Sequence, residues 1–215
     1  QRLLEEARRA GVTRFIFPSR LNANPHAMHA LLRAKGEAER LVRQSGIPYT
    51  ILRTSTLFGR DDRFSELVFS LLLWSWPLAW TPGGGKNLTQ PLWVEDYVYC
   101  LIRTLDQPDT INRTLTVAGN ELISYRELVR TILNVTGKRR ILFPMPMTLI
   151  KPINRLFLGW WYWPAVSRYF VDRFFVPDVT DFDVVQRQFG FHPARFRETI
   201  TYLNRPGMRW RLFRR

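Results

Sequence analysis

A chain of 215 residues, 46% hydrophobic and 23% charged, carries enough apolar material for one sizeable core, which excludes disordered and collagen-like designs. One cysteine (Cys100) excludes a disulfide scaffold and a thiolate metal cluster and fits a reducing compartment, and three histidines (His26, His29, His192) leave little for a metal centre. Thirty-two basic residues, only four of them lysine, stand against eighteen acidic ones, so the net charge of +14 suggests an anionic partner: nucleic acid, a membrane surface or an acidic protein.

The chain opens QRLLEEARRAG, with Leu3, Leu4 and Ala7 at helical spacing and Gly11 as the stop. Without an initiator Met and starting inside a helix, it is expected to be a fragment or a processed chain. No signal peptide is visible. Residues 13–18 (TRFIFP) read as a buried strand. Residues 26–45 carry a helical stripe at Met28, Leu31, Leu32, Ala38, Leu41 and Val42, closed by Gly46. A second strand follows at 49–53, an apolar helix at 63–76 and another helix at 94–105. Leu115 to Val117 gives a third strand, and Ser124 caps a helix that runs to about Val135, with Gly137 behind it. Such alternation with short connections predicts an α/β fold with parallel strands. Beyond 138 the texture changes: 139–147 is extended and proline-broken, 148–176 holds two apolar helical segments, and 181–189 and 195–203 read as short helices.

Three polar features lie along this pattern. Pro18 and Ser19 end the first strand, where open α/β sheets bind ligands, although a lone serine there is more often a turn or cap residue. Lys35 and Glu39 sit one turn apart, by themselves a solvated i,i+4 pair. The second strand runs into RTSTLFG at 53–59. Their order carries the information. With GVTRF at 11–15, GIPYTILR at 46–53, PGGG at 82–85, the Pro91, Val94 and Asp96 spacing and SYRELV at 124–129, residues 1–150 resemble the C-terminal part of the short-chain dehydrogenase/reductase superfamily. The resemblance is to its atypical, extended, epimerase/dehydratase-like branch, which includes the NAD(P)H-binding accessory subunit of respiratory complex I.

That resemblance implies a Rossmann-like parallel sheet, N-terminally truncated, over 1–138, with a mostly helical, aromatic and Arg-rich subdomain over 139–215. It implies catalytic roles for Ser19 and Lys35, with Pro18, Ser19, Lys35, Thr54, Ser55 and Leu57 on the nicotinamide side of a dinucleotide site. Two departures limit it. The family's tyrosine, four residues before the lysine, is Leu31 here, so the usual phenolic proton donor is missing. His29 points elsewhere on a helix and reads as an apolar-face or surface histidine. The glycine-rich phosphate turn is also missing, because Gly83, Gly84 and Gly85 lack the strand–turn–helix setting and read as a flexible surface hairpin. NAD or NADP is therefore expected only with the missing N-terminal part, and residues 1–215 alone are expected to show no measurable NADPH affinity.

Residues 67–80 are fourteen residues without a charge, interrupted by Pro77 and short of the ~20 that a bilayer span needs. The consecutive Trp160, Trp161, Tyr162 and Trp163, flanked by Arg155, Arg168 and Arg173, suit either docking on an anionic membrane or membrane-protein complex, or a lid over the substrate cleft. The tail MRWRLFRR favours docking. Nucleic acid is disfavoured, since no helix-turn-helix, zinc finger or RNA-binding signature is present. The expected function is an NAD(P)-binding atypical dehydrogenase-like protein, cytoplasmic and peripheral to a membrane, with weak or no catalysis and a structural or assembly role. The alternatives are an active oxidoreductase or epimerase on a hydrophobic substrate, and a cofactor-free binding module.

Overall fold

A computed structural model describes residues 1–62, 64–146, 148–149 and 176–204. In chain order, α1 (Arg2–Arg9) leads into β1 (Phe15–Arg20), α2 (Ala30–Gln44) and β2 (Tyr49–Thr54). Then come β3 (Leu57–Phe58), α3 (Ser65–Trp74), β4 (Leu78–Pro82), β5 (Leu88–Thr89), β6 (Leu92–Trp93) and α4 (Val94–Asp106). β7 (Arg113–Val117), β8 (Ile123–Ser124), α5 (Tyr125–Val135), β9 (Ile141–Met145), α6 (Val184–Phe189) and α7 (Phe196–Thr199) complete the described elements.

The expected α/β architecture is present. β1, β2 and β7 form one parallel sheet in the order β1-β2-β7, with Ser19 opposite Arg53 and Thr54 opposite Val117. Pairing with β2 carries β1 through Arg20, two residues past the strand read from sequence. α2 starts four residues later than its apolar stripe suggests. Asn24 accepts a hydrogen bond from the His26 backbone, and this Asx-type turn holds the chain until His29 caps the helix in extended backbone.

Two readings need correction. The apolar helix expected at 63–76 is α3, which begins at Ser65 and ends at Trp74. Pro77 donates no hydrogen bond, and residues 78–82 become β4, which pairs in parallel with β9. Gly83–Gly85 is not a hairpin but a 3-10 turn, all three glycines having positive φ. At Gly85 a Cβ would lie 2.9 Å from the Arg126 Cβ, so the turn packs tightly on α5.

Buried residues form two clusters. One joins Phe58 to α3, α5 and Phe196, Ile200, Tyr202 and Leu203 from the end of the described chain. The other joins Leu52, Leu92, Val117 and the inner face of α4 to Val184, Val185 and Phe189 of α6. α5 carries the capping box expected at Ser124: its hydroxyl accepts from Glu127 N while the Glu127 carboxylate accepts from Ser124 N. Residues 160–163 and the tail 205–215, on which the docking and lid readings rested, lie outside the described residues.

Candidate functional site

Ser19 and Lys35 converge at the carboxyl end of β1, where α2 crosses it. Gly36 lets α2 pack closely on the loop that follows β1: a Cβ there would lie 2.2 Å from Asn24 C and 2.3 Å from Pro25 N. Behind it, Glu39 is fully buried rather than a solvated partner of Lys35. Its carboxylate accepts hydrogen bonds from Ser19 Oγ at 2.6 Å, Arg53 Nε and Nη2 at 2.9 and 2.7 Å, and Arg43 Nη2 at 2.8 Å. Burial alone would raise the Glu39 carboxyl, but the bonds from Arg53, Ser19 and Arg43, with the Arg53 charge, outweigh it and hold the pKa below the ordinary value.

Lys35 does not pair with Glu39. Its Nζ donates to Pro18 O at 2.8 Å and lies 5.1 Å from the centre of the Phe17 ring. Burial, with the Arg20 charge adding to it and Glu39 opposing, lowers the Lys35 pKa. An ammonium has three donors, and one is spent on Pro18, which leaves Lys35 fitted to hold hydroxyl groups at this edge.

Thr54 ends β2 as a buried residue whose hydroxyl turns onto Ser55 O. Ser55 is fully buried and its Oγ has no protein partner, nor do Thr89 Oγ1 and Gln90 Nε2 among the described residues. A buried hydroxyl without a partner costs free energy, so the end of β2 fits a polar guest. Leu57 is half-buried and packs on the second cluster, in β3 beside β6. The structure therefore brings Lys35 onto the Pro18 carbonyl, turns Ser19 onto Glu39 instead, and sets Thr54 and Ser55 on the next strand end.

Sequence reading missed a second constellation. Asp178 accepts from Arg20 Nη2 at 2.9 Å and Thr56 Oγ1 at 2.6 Å, and its backbone pairs with Leu88 and Gln90. Gln90 Oε1 accepts from Thr180 N, and Asn22 Nδ2 donates to Pro177 O. A strap, residues 177–180, is thus tied across the carboxyl ends of β1 and β2. Only the run of polar residues after each strand hinted at it; the partner is 158 residues from Arg20. Among the described residues no group of His, Cys, Asp and Glu is arranged to hold a metal. Burial, then the Asp96 charge, pushes the Cys100 thiol up to about 12, which leaves it unreactive.

Residues 1–68 match the family described as NAD(P)H-binding. The chain is 29% identical over 182 residues to NADH dehydrogenase [ubiquinone] 1 alpha subcomplex subunit 9, mitochondrial, of Mus musculus, covering 85% of this chain and 48% of that one. Residues 1–68 are thus part of an NAD(P)H-binding domain, and the chain is similar to a mitochondrial NADH dehydrogenase subunit. It is also 25% identical over 162 residues to the photosystem II assembly factor Ycf39 of Trieres chinensis, covering 75% of this chain and 49% of that one. It thus spans about half the length of the curated relatives it matches.

Its fold is shared with solved structures of low identity. Triphenylmethane reductase of Citrobacter sp., complexed with NADP(H), superposes with a TM-score of 0.71 at 18% identity over 94% of this chain and 69% of that one. The NADPH-dependent quinone oxidoreductase of Escherichia coli, complexed with NADPH, gives 0.72 at 17% identity over 94% and 70%. No helix among the described residues is long and apolar enough to cross a membrane.

Proposed function

We propose that this chain supplies the nicotinamide side of an NAD(P)H site in a protein that holds its cofactor with weak or no turnover, and that it serves a structural or assembly role at the periphery of a membrane. The cofactor, when bound, would supply a hydride. Lys35 would hold its ribose hydroxyls, Pro18 and Ser19 would line the site, and Thr54, Ser55 and Leu57 would flank the nicotinamide. The orphaned Ser55 hydroxyl and the remaining N–H donors of Lys35 support that assignment.

The observation that carries the low-turnover reading is the loss of both hydroxyl acids. Leu31 stands where the phenol would be, and the Ser19 hydroxyl donates to a buried carboxylate. A bound carbonyl would meet no proton donor of suitable pKa from either position. Residues 139–215 are read as the docking half and 1–138 as the dinucleotide half. The names of the curated relatives, a complex I subunit and a photosystem assembly factor, support a partner within a membrane complex.

Calorimetric titration of NADPH tests the cofactor half of this reading. The full gene product is expected to bind, whereas residues 1–215, in which no G-x-x-G-x-x-G turn occurs, are expected not to. Micromolar affinity of the 215-residue chain would overturn the assignment of the phosphate grip to another segment. Leu31→Tyr in the full gene product tests the catalytic half: NADPH oxidation is expected to stay at background, because Ser19 remains held by Glu39.

A further inference from the structure

The β4–β9 pair presents an apolar face to solvent. Leu78 lies opposite Ile141, Trp80 opposite Phe143, and Pro82 opposite Met145. Side chains alternate across a strand, so these six share one face while Ala79, Thr81 and Leu142 share the other. The second face belongs to the core except at the exposed Pro144: Ala79 and Thr81 are fully buried and Leu142 packs on the first cluster. On the first face Ile141 is 65% exposed, Phe143 46% and Trp80 42%, and the rings of Trp80 and Phe143 meet edge to face at 5.3 Å. Trp76, just before β4, is 74% exposed. A sheet with one wet face ordinarily carries polar residues there; neither strand contains a charged residue.

The charge around this face selects the occupant. Residues 67–94 and 128–171 contain no aspartate or glutamate. Lys138, Arg139 and Arg140 run directly into β9, and the exposed Lys86 follows the glycine turn after β4. A protein interface is ordinarily rimmed by polar residues of both signs. Exposed tryptophan and branched aliphatic side chains, flanked in the chain by Lys86, Lys138 and Arg139 with no acidic residue in either segment, match the headgroup region of a negatively charged bilayer instead.

We propose that the outward face of β4 and β9, with Trp76 beside it and Lys138 and Arg139 at its rim, docks the chain on an anionic lipid bilayer. This rests on the membrane-peripheral reading above and gives it a surface. The apolar side chains enter the headgroup boundary, and the basic rim draws the face to negative lipid.

The test labels Ile141→Cys with a polarity-sensitive fluorophore in the full chain; Cys100 is fully buried and does not compete for the label. Ile102→Cys, an exposed position on α4, serves as control. On phosphatidylcholine vesicles containing phosphatidylglycerol the chain floats and the label at 141 shifts to the blue, while the label at 102 does not. Pure phosphatidylcholine produces neither effect. Lys138→Gln and Arg139→Gln each weaken partition about fivefold. Melting curves matched to the parent chain verify folding, and Phe143→Cys is the second labelled position should Ile141→Cys fail to fold.

If the chain floats while the label at 141 stays in water, the surface is wrong and the membrane reading stands. If it does not float on anionic vesicles at low salt, both fall. A blue shift without vesicles that grows with protein concentration identifies a second copy as the occupant and overturns the proposal.

Discussion

Glu39 decides how the end of β1 is built. A carboxylate removed from water is tolerable only when its lone pairs are filled, and here two guanidinium groups and a hydroxyl fill them. Glu39→Gln strips the charge that Arg53 and Arg43 face, and should cost about 3 kcal/mol in urea unfolding. The pH dependence has a defined sign. The folded carboxyl has a pKa below its unfolded value of about 4.3, so its stabilisation is complete above that value. It is lost as pH falls through the lowered folded value. Melts between pH 6 and pH 3 should show this acid sensitivity in the parent and a shallower one in Glu39→Gln. A flat parent profile would contradict the assignment. The sequence pattern led to the wrong partner because i,i+4 spacing offers Lys35 first. The actual partners are Arg43, one turn later on the same helix, and Arg53 and Ser19 from neighbouring strands 14 and 20 residues away.

At the scale of elements, long periodic segments were legible and short ones were not. α1 and α5 announce themselves by apolar spacing with a stop or cap residue, α3 and α4 by apolar content alone, and β2 by its branched and aromatic run. β3, β5, β6 and β8 have two residues each, too few to show any period, and exist because distant chain segments pair with them. β4 hid inside an apolar stretch whose partner strand lies some 60 residues later. Gly36 belongs to this scale as well, since it sets the distance between α2 and the loop at 24–25. Gly36→Ala places a methyl against backbone atoms that cannot rotate away, and the helix must shift. The expected cost is about 1–3 kcal/mol, seen as a lower melting temperature. Hydrogen exchange should rise at the Ser19 and Arg20 amides in the same variant, because Lys35 loses its seat on the Pro18 carbonyl; unchanged stability would show that the loop yields freely.

For the molecule as a whole, the last described segment binds everything before it. Asp178 is fixed by Arg20 and Thr56, Ala194 N donates to Asp96, Phe196 N donates to Glu121, and Tyr202 bonds Ser65. Asp96 was legible as part of a recurring spacing, but its task of receiving Ala194 was not, because that contact spans 98 residues. Asp178→Ala leaves Arg20 without its carboxylate in a largely buried place and should cost about 3 kcal/mol. The strap at 177–180 and the paired Leu88 and Gln90 amides should then exchange faster than the β1-β2-β7 sheet. Uniform exchange throughout would mean that the strap is held by other contacts.

Both buried clusters are completed by residues 184–204. During synthesis those residues leave the ribosome after the elements they cover, so α3, α5 and the inner face of α4 must wait, uncovered, until residues 184–204 emerge. Contacts so distant in sequence form slowly. A nascent chain arrested before residue 184 would display the Phe58, Leu67 and Leu128 surfaces to chaperones and proteases, which makes the closing segment a checkpoint on the chain's own maturation.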